Sequence, residues 1–220
     1  MMVQNIIKRI ADISGEYSGY EIFSDWIKAS AIGISNSVDL IHGRVWERRE
    51  NEYMDILNKH GAERMRVFAE MLGMLAMALE DNVEDVLGRI YMEAGLGNKN
   101  TGQFFTPFHL SYAVAAAGIP EDFSGERPFT INEPSSGGGG MIIAAAKILK
   151  ERGIDYQKCM NVVAQDLDWK GVYMTYVQLS LLGIKAKVVQ GNTLSEPFIR
   201  VKDYPPERIL YTPAEKGVLI

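Results

Sequence analysis

The stretch Glu133-Pro134-Ser135-Ser136-Gly137-Gly138-Gly139-Gly140 constrains this chain more than any other. It joins a strand-like run, Pro128 to Glu133, to a helix-like run, Gly140 to Glu151, in which Met141, Ile142, Ala145, Ile148 and Leu149 recur at helical spacing. Four successive glycines cost conformational entropy and make sense only where the main chain needs positive φ or must touch something closely. In open α/β sheets the first strand–helix turn is where a ligand meets the backbone. The turn therefore points to a nucleotide or S-adenosylmethionine. No Gly-Lys-Ser/Thr follows it, which argues against a P-loop.

Strand and helix keep alternating after this turn. Asn161 to Gln165 and Ala186 to Gln190 read as buried strands, Trp169 to Leu182 as a helix, and Arg208 to Tyr211 as a further strand. This alternation predicts parallel strands joined by right-handed crossovers. The first hundred residues read differently. Glu21 to Ile34, Glu47 to Asn58, Ala62 to Leu79 and Val83 to Ala94 carry apolar residues at helical period, and Gly95-Leu96-Gly97-Asn98 breaks the pattern. The expected organisation is an α-helical region over 1–98 and a ligand-binding core over 99–220.

Composition narrows the classes. The 220 residues are 47% hydrophobic and 23% charged, enough to bury a core, and the net charge of -5 argues against a broadly basic nucleic-acid-binding surface. A local basic face from Arg44, Arg48, Arg49, Lys59, Arg64 and Arg66 is the exception to examine; ion pairing along the helix surface is the plainer expectation. The single cysteine, Cys159, and the scattered His42, His60 and His109 give no metal-ligand spacing, so no metal site is expected. Met71, Met74 and Met77 suggest core or a helix seam. The N-terminus lacks a signal-peptide pattern and no apolar run reaches membrane length, so a cytoplasmic protein with no membrane contact is expected.

Three further segments complete a candidate site. Asp166 ends the second strand, where an acidic side chain grips a ribose diol; Asp168 is better placed to cap the helix from Trp169. Gln190-Gly191-Asn192-Thr193-Leu194 follows the third strand, and Asn192 could hydrogen-bond an adenine ring, although a turn would use the same residues. Upstream, Thr101-Gly102-Gln103-Phe104-Phe105-Thr106-Pro107 offers Phe104 or Phe105 to cover a cofactor, with Thr106 as helix cap and Pro107 at the first helical position.

Taken in order, these elements resemble the N6-adenine DNA methyltransferases typified by the modification subunit of type I restriction systems. The Thr-Gly-Gln-Phe-Phe-Thr-Pro run matches the family's Gly-Gln-Phe-(Phe/Tyr)-Thr-Pro. Glu133 to Gly140 matches Asp-Pro-Ala-Cys-Gly-Ser-Gly-Gly, with Glu133 for Asp and Ser135-Ser136 for Ala-Cys. Asp166 matches the second-strand acid, and Gly191 to Leu194 matches Gly-Asp-(Ser/Thr)-Leu with Asn192 for Asp. The resemblance implies a partial Rossmann-like methyltransferase sheet of about four parallel strands behind the helical region. It also implies S-adenosylmethionine as cofactor. Phe104, Phe105, Thr106 and Pro107 would lie about its methionine end; Glu133, Pro134, Ser135, Gly137 and Gly139 would form the cradle; Asp166 would hold the ribose and Asn192 the adenine.

The family's Asn-Pro-Pro-(Phe/Tyr) element, whose amide and carbonyl oxygens accept from the target adenine amine, is absent. Its expected place reads Tyr211-Thr212-Pro213-Ala214-Glu215, which leaves Thr212 and Pro213 as the only catalytic candidates there. The sheet is shorter than the family's, so the fourth strand is expected to be an open edge covered by another subunit, a second copy or the N-terminal helices. DNA would be reached through a recognition partner. The alternative is a catalytically inactive S-adenosylmethionine-binding regulatory or assembly subunit.

Overall fold

The computed structural model describes residues 2–96 and 105–218. Four helices come first. Helix α1 (Met2–Ser14) buries Val3, Ile6 and Ile10. Helix α2 (Gly19–Ser37) starts from a capping box, in which Ser18 accepts from the Glu21 amide and the Glu21 carboxylate accepts from the Ser18 amide. Helix α3 (Arg44–Asp81) joins the two charged and apolar runs expected to be separate helices. Its break is a kink at Gly61, where φ 74° and ψ 165° suit only glycine. Helix α4 (Val86–Glu93) is capped by Asp85. Helix α1 had no counterpart in the sequence reading.

Helix α5 (Phe108–Gly118) leads into strand β1 (Phe129–Glu133), followed by α6 (Gly140–Glu151), the short α7 (Tyr156–Cys159), β2 (Met160–Asp166), α8 (Trp169–Leu181), β3 (Lys185–Gln190) and β4 (Ile209–Tyr211). The sheet order is β1-β2-β3-β4. Strands β1, β2 and β3 are parallel, as the alternation predicts. Strand β4 differs: it pairs antiparallel with β3, Lys187 opposite Tyr211 and Val189 opposite Ile209. The cause lies in the connection from Gly191 to Arg208, which forms only two short 3-10 turns, Val201–Asp203 and Pro206–Arg208. A parallel return needs a crossover that carries the chain back along the sheet, usually a helix, and Pro205-Pro206 interrupts any helix here.

The core is continuous. Trp26 and Ile27 of α2, Leu75 of α3, Tyr91 of α4, Ile143 of α6, Val177 of α8 and Val188 of β3 belong to one buried cluster that crosses the boundary expected near residue 98. Met71 is fully buried in it while Met77 is 52% exposed, because a three-residue step rotates around a helix rather than staying on one face. The edge of β4 is met by the N-terminal helices: Arg49 of α3 donates to the Ile209 carbonyl at 2.9 Å and to Ser35 Oγ at 2.8 Å. Strand β1 pairs with β2 alone among the described residues. Its Thr130 and Asn132 are exposed on the face opposite α6 and α8. No helix is long and apolar enough to cross a membrane.

Thr212 follows the reversed strand. It is fully buried, and its Oγ1 donates to the Ile184 carbonyl at 2.7 Å and accepts from the Ala186 amide at 2.9 Å. The side chain thus fastens the end of β4 to the start of β3. Thr212→Ala would leave both backbone groups without this partner and should lower stability by about 1–3 kcal/mol, read as a reduced midpoint in thermal or urea unfolding.

Candidate cofactor site

At the end of β1 the chain turns sharply. The Ser135 amide donates to Glu133 Oε1 at 3.1 Å, and the Gly139 amide to the Ser136 carbonyl at 2.7 Å. Gly137 and Gly139 have φ of 54° and 89°, which explains two of the four glycines. Close approach explains the other two. A Cβ at Gly138 would stand 3.1 Å from Asp85 Oδ1, and one at Gly140 would stand 3.1 Å from Asp85 Oδ2.

Asp166 holds the turn from above. Its Oδ2 accepts from the Gly137 amide at 2.7 Å and its Oδ1 from the Asp168 amide at 2.9 Å. Burial pushes its carboxyl above the usual carboxylate range, opposed by these amide donors. The carboxylate needs Gly171 beneath it, because a Cβ there would lie 2.9 Å from Asp166 Cγ. Two bonds tie in the loop after β3: the Gly191 amide donates to the Asp166 carbonyl at 2.9 Å, and Thr193 Oγ1 to the Pro134 carbonyl at 2.6 Å. The loops after β1, β2 and β3 therefore meet at the carboxyl ends of the parallel strands.

From below, the helical region enters the site. Asp85 is buried, and its Oδ1 accepts from the Gly88 amide and from Gln178 Nε2, both at 2.8 Å. Gln178 also donates to the Gly138 carbonyl at 2.7 Å and accepts from the Leu87 amide at 3.0 Å. One side chain of α8 thus clamps α4 to the glycine turn. A cavity of about 180 Å³ opens between Asp85 and Asp166, walled by Phe105, Thr106, Ser111 and the turn itself.

Residues 82–209 match the model of the N-6 DNA methylase family. The chain belongs to that family. No curated protein compared with it matches. The family match starts before Asp85, so α4 lies within the matched region together with β1, β2 and β3, and it ends at Ile209, the first residue of β4 and short of Thr212.

The residues that the family's motifs nominate for a cofactor are placed differently by the fold. Phe105 reaches the turn: a Cβ at Gly137 would lie 2.9 Å from its ring. Phe105, Thr106, Ser135, Gly137 and Asp166 border the cavity, while Glu133, Pro134 and Gly139 shape the turn behind it. Thr106 does not cap α5; the cap position is Pro107, one residue later than expected, and it has no side-chain cap bond. Asp168 does cap α8, accepting from the Lys170 amide at 3.0 Å. Asn192 is exposed and turns back on its own loop, its Oδ1 accepting from the Leu194 amide at 3.0 Å. It therefore does not border the cavity. Phe104 lies outside the described residues.

Thr212 and Pro213 are not brought to this site. Because β4 runs backwards, they stand at the amino end of β3, about 15 Å along a strand that rises about 3.3 Å per residue. The sequence reading missed Asp85 and Ser111. Asp85 read there as part of a helical run remote from the glycine turn, and only tertiary packing shows it under the turn.

Four of the six residues of the basic face, Arg48, Arg49, Lys59 and Arg64, are engaged in ion pairs or structural bonds. Arg48 meets Glu52 at 3.1 Å, Lys59 meets Asp25 at 2.7 Å and Arg64 meets Glu16 at 3.2 Å. His60 is buried against Asp25, and no cluster of metal-ligating side chains occurs among the described residues. Burial pushes the Cys159 thiol up, away from a reactive thiolate.

Gly171→Ala separates the site's demands from those of the helix. In a helix interior, alanine is favoured over glycine by about 1 kcal/mol. Here the added methyl must displace Asp166 from the Gly137 amide, so thermal unfolding should show a lower midpoint, where propensity alone would raise it.

Proposed function

We propose that this chain is the S-adenosylmethionine-binding part of a DNA adenine-N6 methyltransferase of restriction-modification type, acting with a partner that recognises DNA. The observation that carries the reading is the cavity between the glycine turn and Asp166, within the region that matches the family. The residues fit the cofactor. Backbone of Gly137, Gly138 and Gly140 lines the cavity, Asp166 offers carboxylate lone pairs to a ribose diol, and Phe105 gives an apolar wall. The cavity is smaller than the roughly 300–1,000 Å³ that encloses a whole ligand of this size. It suits the amino-acid end, with the adenosine lying outward past Asp166.

When bound, S-adenosylmethionine supplies an electrophilic methyl group on its sulfonium. In the reading proposed here, the chain's own part is to bind and orient. Groups that accept from the adenine amine would come from a second polypeptide, either another subunit or a second copy, docking where β1 has no neighbour among the described residues. DNA contact through that partner agrees with the net charge of -5. One observation favours a second reading, a catalytically inactive S-adenosylmethionine-binding regulatory or assembly subunit: Thr212 and Pro213 stand at the far end of the sheet and serve packing.

Titration calorimetry of the purified chain with S-adenosylmethionine tests the binding reading, with Asp166→Ala as control. Binding in the wild type, weakened at least about tenfold in the variant, is expected from the loss of a charged hydrogen-bond acceptor. Absence of binding in folded wild-type protein would sink the proposal. Transfer of labelled methyl to DNA, with and without added partner subunits, then separates the enzyme from the regulatory reading.

A further inference from the structure

Asp85 is unusual for a helix cap. It is 6% exposed, and among the described residues its donors are two neutral groups, the Gly88 amide and the Gln178 side chain. Both bonds end on Oδ1. Asparagine would accept them equally well through its amide oxygen, without the cost of burying a charge. Capping alone thus gives no reason for a carboxylate here.

The other oxygen, Oδ2, lies beside Gly140, and both Asp85 and Gly140 border the cavity. Oδ2 lies 3.1 Å from the point where a Gly140 Cβ would stand, and Ser111 Oγ lies 3.5 Å from the same point. Ser111 is fully buried, and its hydroxyl has no hydrogen-bond partner among the described residues. Among the described residues, then, a buried acceptor without a cation and a buried hydroxyl without a partner border one small space beside the glycine turn. What this space lacks is a compact positive group with several N–H donors.

We infer that Asp85 and Ser111 hold the α-ammonium of the amino-acid end of S-adenosylmethionine. The ammonium donates to Asp85 Oδ2 and to Ser111 Oγ, while Asp85 Oδ1 stays on Gly88 and Gln178. The carboxylate gains a charge partner that no described residue supplies, and the hydroxyl gains a bond that no described residue makes. Gln178 makes the arrangement stiff, since it holds both Asp85 and the Gly138 carbonyl. The inference rests on the cofactor reading above and adds to it a residue from the helical region.

The test compares three ligands by calorimetry on wild type, Asp85→Asn and Ser111→Ala. S-adenosylmethionine has the ammonium and the sulfonium charge; S-adenosylhomocysteine keeps only the ammonium; 5′-methylthioadenosine has neither. Asp85→Asn should weaken the first two roughly 10- to 100-fold, as expected for a lost charge-assisted bond, and leave the third unchanged. Its thermal midpoint without ligand should not fall. Ser111→Ala should show the same pattern with a smaller loss, and it decides the matter if Asp85→Asn proves unstable. Equal loss for all three ligands would mean that Asp85 acts only through the shape of the turn and would overturn the inference. Loss confined to S-adenosylmethionine would assign Asp85 to the sulfonium and overturn it too, as would no loss at all. If the wild type binds none of the three, the failure lies in the cofactor reading itself.

Discussion

The structure depends on how closely the main chain of Gly137 to Gly140 approaches two carboxylates. Asp166 receives the Gly137 amide from one side, and Asp85 lies against Gly138 and Gly140 from the other. A Cβ at Gly138 or Gly140 would press on Asp85, and one at Gly137 on the Phe105 ring. This crowding sets the path from β1 into α6, and with it the place of the cavity. It also gives the run of glycines two distinct physical causes: positive φ at Gly137 and Gly139, and contact distance at Gly138 and Gly140.

The same crowding makes the helical region part of the site. Asp85 belongs to α4 as its cap, yet it is held through Gln178 of α8 to the glycine turn. A displacement of α4 would be felt at the turn through Gln178 and the surrounding buried cluster. The shared core of α2, α3, α4, α6 and α8 has the same consequence. Motion of the helices against the sheet would have to repack buried apolar contacts and break this polar chain together.

The two sheet edges have different fates. At β4 the Ile209 carbonyl is satisfied by Arg49 and the Tyr211 carbonyl by the Tyr176 hydroxyl at 3.3 Å, so that edge is dressed by side chains of the same chain. Of the three covers expected for this edge (another subunit, a second copy or the N-terminal helices), Arg49 of α3 supplies a contact of the third kind. Strand β1 has no such neighbour among the described residues, and it lies beside the glycine turn rather than across the sheet from it. A polypeptide pairing there would stand near the cavity, which is where groups acting on a target base would be needed.

The sequence by itself determined the parallel β1-β2-β3 unit, its helices, the glycine turn and Asp166. Each of these is a local pattern: a period of apolar residues, a run without Cβ atoms, an acid at a strand end. It also led to the family through motifs in order. Only tertiary structure decided the direction of β4, because three apolar residues read the same forwards and backwards, and the connecting segment's failure to make a helix sets the return path. That direction carries Thr212 and Pro213 away from the cofactor end. Tertiary structure also decided the roles of Asp85 and Ser111. Their burial under the turn depends on packing between elements far apart in the chain, and no local spacing records that distance.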